Sequence, residues 1–195
     1  LVDVTRQAMA NYATALHRQI SYTWNAGDLD SYRILTERFL DLISDMDRLL
    51  KTRPEFLLGR WIADASAWGT TDEERRLYKF NARDLVSIWG RKDVADISDY
   101  SCRQWSGLLD SYYRGRWEEF FRQTTECLEK GEKWDEKKFY DYIREWGWEW
   151  ANRTDEAFAT EPEGDAVEVS REMYAKWWKL ISRSEVFKQK KNELQ

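Results

Sequence analysis

Asn81, Arg83, Asp84, Trp89, Tyr100 and Arg116 are the side chains whose types and spacing suggest chemistry. Asn81 and Asp84 fall on one helical face with Leu77, Phe80 and Ile88, so an amide and a carboxylate stand inside an apolar stripe. A buried polar group without a partner costs about 1–3 kcal/mol. Arg83, Arg103 and Arg116 are the available donors, and a guanidinium fork suits a buried carboxylate. Such a set serves as an ion-pair and amide network tying helices together or as direct contacts to a ligand, and the residues alone leave both open. Trp89 closes one helical stretch beside Gly90, and Tyr100 opens the next. Aromatics at such a rim are placed to stack on a sugar face or to close a cleft.

Other chemistries are harder to build. The chain has one His (His17) and two Cys (Cys102 and Cys127), too few for the usual four-ligand Cys/His zinc site. A Ser-His-Asp triad would need His17, which sits in a helical pattern with no nucleophile motif nearby and reads as an ordinary helix residue. Both thiols read as free, and no metal or cofactor is expected. The 36 Asp and Glu leave a glycosidase acid pair possible in principle but unlocated. Glu118-Glu119 reads as a solvated helix face, and Asp72-Glu73-Glu74 as a helix start complementing the dipole. A net charge of −5 is the wrong sign for nucleic-acid binding. No apolar run approaches the ~20 residues of a membrane span.

These residues must be held by helices. Among 195 residues, 12 Trp outnumber 9 Gly and 2 Pro, whereas average usage of about 7% and 5% would give about 14 Gly and 10 Pro. So few turn-makers argue against a sandwich or barrel and for an all-α bundle of about seven to eight helices, mostly antiparallel neighbours, in one domain over 1–195. Val4, Ala8, Tyr12, Leu16 and Ile20 mark a first helix; Asp28 or Asp30 caps a second through Tyr32, Leu35, Phe39, Leu42, Met46 and Leu49. The two form a hairpin over 1–53, ending before Pro54. Over 55–131, a third helix closes at Gly69, a Thr71 to Glu74 capping box opens a fourth that runs to Trp89-Gly90, and Asp99 or Ser98 caps a fifth that Gly115 interrupts. Residues 135–184 carry the last helices, separated by a loop from Ala159 to Asp165, and 185–195 form a fraying tail. The helical stripe begins at residue 1, which reads as a chain cut from a longer one whose missing part holds the chemistry.

Several motifs occur together in order. Phe56-Leu57-Leu58-Gly59-Arg60-Trp61-Ile62-Ala63-Asp64-Ala65, Phe80-Asn81-Ala82-Arg83 with Trp89-Gly90, Asp99-Tyr100 with Gln104-Trp105-Ser106-Gly107-Leu108, and Tyr112-Tyr113 with Arg116-Trp117 resemble the C-terminal region of the α-N-acetylglucosaminidases, glycoside hydrolase family 89. Asp3-Val4-Thr5-Arg6-Gln7 is similar to the segment that begins the last domain of that family. Arg91 stands where many relatives have proline, and Ser101-Cys102-Arg103 replaces the more usual Ala-Asn-Lys.

The resemblance implies a noncatalytic all-α domain packed on an upstream catalytic barrel of the same polypeptide. Both glutamates of the retaining mechanism would lie on that barrel, so no catalytic residue is expected in this chain, and the chain alone should be inactive. The positions matching Trp89 and Tyr100 would face the pocket for a glycan ending in α-linked N-acetylglucosamine. Arg83 and Arg116 would be structural partners of Asn81 and Asp84. The resemblance also implies an extracytoplasmic location, lysosomal in animals and periplasmic or secreted in bacteria. A different reading of the same composition is a Trp-rich helical protein-interaction module, which predicts an exposed apolar patch and no sugar pocket.

Overall fold

The computed structural model describes residues 1–93 and 99–184. Among the described residues there are seven α-helices: α1 (Val2–Ala26), α2 (Leu29–Leu50), α3 (Leu58–Ala67), α4 (Asp72–Leu85), α5 (Gly115–Lys130), α6 (Glu136–Asn152) and α7 (Ala166–Ile181). The chain is all-α, as its scarcity of turn-makers predicts.

Local chemistry sets the helix ends. Gly27 adopts the left-handed φ of 69° that closes α1, and the next amide, Asp28 N–H, donates back to the Thr23 carbonyl at 3.0 Å. The Asp28 carboxylate then accepts the Ser31 N–H at 3.1 Å and starts α2, so two residues reverse the chain into an antiparallel hairpin. Thr71 and Glu74 form a reciprocal capping box at the start of α4. Asp165 accepts the amides of Val167 and Glu168, both at 2.8 Å, to start α7.

Two apolar cores result. The larger is built from Met9, Tyr12, Leu16 and Ile20 of α1, Tyr32, Phe39, Leu42 and Met46 of α2, Phe121 of α5, and Met173 and Trp177 of α7. Each such side chain contributes about 1.5–3 kcal/mol when fully buried. Asp45 ties α7 to α2, accepting the Trp177 indole N–H at 2.8 Å and pairing with Lys176 at 2.6 Å. The smaller core gathers Leu58, Ile62, Ala82, Val86, Ile88, Leu108, Tyr112 and Trp150 from α3, α4, α6 and the segments beside them. A lone parallel bridge between Leu57 and Ser106 stitches the chain where the two cores meet: Leu58 N–H donates to the Ser106 carbonyl and Ser106 N–H to that of Phe56.

Several boundaries differ from the sequence expectation, each for a physical reason. The buried residue near the start is Val2, whereas Val4 is 74% exposed. Helix α4 ends at Leu85 rather than Trp89-Gly90, because the Trp89 amide folds back to the Asp84 carbonyl at 2.8 Å and the Asp84 carboxylate takes the Gly90 N–H at 3.1 Å. Gly69 is no left-handed cap; it is a point of close approach where an added Cβ would sit 2.7 Å from the Arg75 amide nitrogen. Asp99 caps no helix, since Cys102 to Trp105 are non-helical, and Ser98 lies outside the described residues, as does the tail expectation for 185–195.

The helix expected to begin there starts at Leu108, where Asp47 of α2 supplies the cap. Its carboxylate accepts the Ser106 hydroxyl at 2.8 Å and the Gly107 and Asp110 amides at 2.7 and 3.0 Å. Gly115 does not interrupt this helix. Leu109–Arg114 form a π-helical turn that runs straight into α5, and Gly115 is helical with the Trp146 indole only 3.0 Å from where a Cβ would stand.

Candidate functional site

Trp89 and Tyr100, eleven positions apart in sequence, meet edge to face with ring centroids 5.3 Å apart and planes at 84°. Both are at the surface, Trp89 36% and Tyr100 70% exposed. Edge-to-face geometry sets the positive rim of one ring on the negative face of the other. The outer surfaces remain open to a partner.

The backbone around the pair is unusual. Trp89, Asp99 and Cys102 have φ of 46°, 61° and 46°, in the left-handed region that non-glycine residues rarely enter. Such conformations cost of order 1–3 kcal/mol each and persist where neighbours over-determine them. Those neighbours are present. Asp84 holds the Trp89 and Gly90 amides, Asp99 N–H donates to the Ser87 carbonyl at 2.7 Å, and Arg116 of α5 donates from Nη1 to Asp99 Oδ2 at 2.5 Å. The Arg116 guanidinium lies 5.3 Å from the ring centres of both Tyr112 and Tyr113. Burial pushes the Asp84 carboxyl above its ordinary range, with the Gly90 amide opposing it. Burial raises the Tyr112 and Tyr113 phenols as well, and the nearby Asp99 charge adds to the rise. The Asp99–Arg116 pair also lines a groove of about 530 Å³ shared with His17, Trp117, Phe120 and Tyr140.

The polar residues of α4 do not form one network. Arg83 is fully buried; its Nε donates to the Trp150 carbonyl at 2.9 Å and its Nη2 to Glu156 at 2.9 Å. Its plane lies 4.0 Å from the centre of the Trp150 ring and 5.2 Å from that of Phe158. Burial lowers the Arg83 pKa and Glu156 opposes the change. Asn81 is exposed, contrary to its placement in the apolar stripe, and Leu77 is 53% exposed. The buried residues of α4 are Ala82 and Arg83, on the side that meets α6. Asp84 serves the Trp89 turn and Arg116 serves Asp99, so these two work beside the aromatic pair while Arg83 works inside the small core.

Sequence reasoning missed three things. Asp47, Glu156 and Phe158 became partners only through the fold, with separations from their contacts too long for any local pattern. Trp68 is the most exposed tryptophan at 81%, and Trp61 is 39% exposed while its indole N–H donates to the Ala82 carbonyl at 2.8 Å. Trp89 is therefore one of several surface tryptophans, set apart by its contact with Tyr100 and its clamped backbone.

Among the described residues no group of three or more His, Cys, Asp or Glu could hold a metal ion. Cys102 and Cys127 are free thiols, and His17 is exposed with its ring 5.7 Å from that of Trp117. Glu119 is held by Arg122 and Gln123, with Arg122 lowering its pKa, so it is a surface ion-pair partner. No described helix is long and apolar enough to cross a membrane.

Comparison with known proteins gives a consistent answer. The family model described as alpha-N-acetylglucosaminidase (NAGLU) C-terminal domain matches residues 1–176. The human alpha-N-acetylglucosaminidase is 24% identical over 179 residues, covering 91% of this chain and 24% of its own length. Among solved structures, the family 89 glycoside hydrolase of Clostridium perfringens in complex with 2-acetamido-1,2-dideoxynojirmycin superposes with a TM-score of 0.81 at 33% identity. Its complex with PUGNAc gives a TM-score of 0.79 at 32% identity. Each match covers 90% of this chain and 20% of the bacterial one, so the chain spans between a fifth and a quarter of the length of these relatives.

Proposed function

This chain belongs to the family of α-N-acetylglucosaminidase C-terminal domains, and from that premise we propose that it is the noncatalytic helical domain of such an enzyme. It packs as one unit on the catalytic barrel of the same polypeptide and supplies one wall of the pocket for terminal α-linked N-acetylglucosamine. The acid/base and nucleophile of the retaining reaction reside on the barrel, and the domain acts outside the cytoplasm.

The observation that carries this reading is the exposed Trp89–Tyr100 contact on a strained, clamped backbone. An indole presents a flat apolar face to the C–H face of a pyranose, while a phenol can exchange hydrogen bonds with its hydroxyls. Strain of this kind concentrates where a side chain must be aimed. The bacterial relative, with a TM-score of 0.81, is a glycoside hydrolase whose bound ligand is a 2-acetamido sugar mimic, which supports the same substrate class here.

The test uses the full enzyme that carries this chain, assayed on an aryl α-N-acetylglucosaminide. Trp89→Ala lowers kcat/KM about tenfold, or ~1.4 kcal/mol of transition-state binding, with an unchanged thermal midpoint. The 195-residue chain by itself gives no turnover. Wild-type kinetics in a folded Trp89→Ala enzyme would remove Trp89 from the pocket, and hydrolysis by the chain alone would overturn the noncatalytic assignment.

A further inference from the structure

We propose that the Asp99–Arg116 ion pair is a positioning device that sets Tyr100 against Trp89, and that Arg116 thereby acts on the sugar without touching it. The proposal rests on the reading that these two aromatics face the sugar. Asp99 is the residue immediately before Tyr100, so any rotation at Asp99 swings the phenol directly. Its φ of 61° has little intrinsic preference, and bonds at its amide, carbonyl and side chain fix it: its N–H donates to the Ser87 carbonyl at 2.7 Å, its carbonyl accepts the Cys102 N–H at 2.9 Å, and its carboxylate accepts from Arg116 at 2.5 Å. Ser87 lies two residues before Trp89, and the Trp89 and Gly90 amides are themselves held by Asp84. Both ends of the segment are thus referenced to one short stretch of chain, with Arg116 as the anchor on a third element, α5.

The anchor is braced on two sides. Tyr112 and Tyr113 flank the guanidinium at 5.3 Å each, and the ion pair is only partly shielded, with side-chain exposures of 20% for Arg116 and 28% for Asp99. Lysine would keep the charge and lose the flat fork that the two rings hold.

The full enzyme on an aryl α-N-acetylglucosaminide again provides the assay, with Arg116→Met, Asp99→Asn and Arg116→Lys placed in the wild-type background. Arg116→Met is also placed in a Trp89→Ala/Tyr100→Ala background. Arg116→Met and Asp99→Asn each raise KM five- to twentyfold with kcat within about twofold, and Arg116→Lys falls between them and wild type. In the background lacking both aromatics, Arg116→Met changes KM less than twofold, because nothing remains to be aimed. An unchanged KM in folded Arg116→Met and Asp99→Asn enzymes, or an equally large effect of Arg116→Met without the aromatics, overturns the positioning role while leaving the aromatic wall intact. Wild-type kinetics in the doubly substituted background instead overturns the wall itself. If Arg116→Met fails to fold, Asp99→Asn and Arg116→Lys carry the same comparison.

Discussion

Arg83 reads both the ring and the backbone of Trp150: its guanidinium lies 4.0 Å from the centre of the indole while its Nε donates to the carbonyl of the same residue at 2.9 Å. The Trp150 carbonyl is near the end of α6 and accepts the Arg153 N–H at 3.2 Å, so a side chain from α4 adds a second, charged donor to it and packs on the helix at once. Arg83→Met removes the charged donor from that carbonyl, leaving only the Arg153 N–H, and loosens the loop held through Glu156. The expected cost is about 2–4 kcal/mol, read as a lowered urea midpoint with an unchanged slope. Glu156→Gln should cost about 1 kcal/mol or less, because Glu156 is 37% exposed and its charge is partly screened.

Asp47 provides a second non-local cap. With three donors converging on its carboxylate, Asp47→Ala strands the Gly107 and Asp110 amides at the start of the π turn. A loss of about 2–3 kcal/mol is expected by chemical denaturation, with Asp47→Asn intermediate because an amide oxygen still accepts one of the bonds.

Alkaline unfolding should report on Tyr32. Burial pushes its phenol from 10.0 up to about 12, opposed by its 2.6 Å hydrogen bond with Thr124. Since the folded-state value lies above the unfolded one, the stabilisation is complete below pH 10 and is lost as pH rises to 12. Two units correspond to about 3 kcal/mol. Tyr32→Phe is less stable at pH 8 by about 1 kcal/mol, and the stability difference should reverse above pH 11. Other buried tyrosines affect both proteins alike, so a difference that stays flat from pH 8 to 12 would contradict the prediction.

Gly59 is the place where the loop after α6 presses on α3. A Cβ there would stand 2.6 Å from the Phe158 carbonyl oxygen and closer still to that of Ala159. Backbone cannot move aside as a side chain can, so Gly59→Ala should cost about 1–3 kcal/mol and lower the thermal midpoint by several degrees.

What was legible in the sequence was local. Gly27, Asp28 and the Thr71–Glu74 box act over three residues, and each does in the fold what its spacing implies. The end of α4 was hidden because Val86 and Ile88 continue an apolar pattern while the Asp84 side chain quietly captures the next free amide. Trp89 and Tyr100 could be singled out as aromatics near helix ends, but their contact depends on Asp99 and Arg116, whose pairing spans 17 residues. Arg83 was recognisable as a donor to the polar groups of its own helix, yet the acceptors it uses lie 67 and 73 residues away, where periodicity carries no information. The stripe of α1 was placed with Val4 inside, because one apolar residue more or less on a surface helix barely changes the pattern.

The π turn at Leu109–Arg114 lets one continuous rod answer to two masters. Leu108 and Tyr112 feed the small core, Leu109 and Phe121 feed the large one, and Tyr113 borders both. A π turn closes its hydrogen bonds from i to i+5, so the extra residue is taken up in a widened loop and Arg116 keeps the heading that a regular helix one residue shorter would give it. The surplus residue can therefore be removed from the turn without re-aiming Arg116, whereas removing one from the regular part of α5 rotates everything beyond it by about 100°.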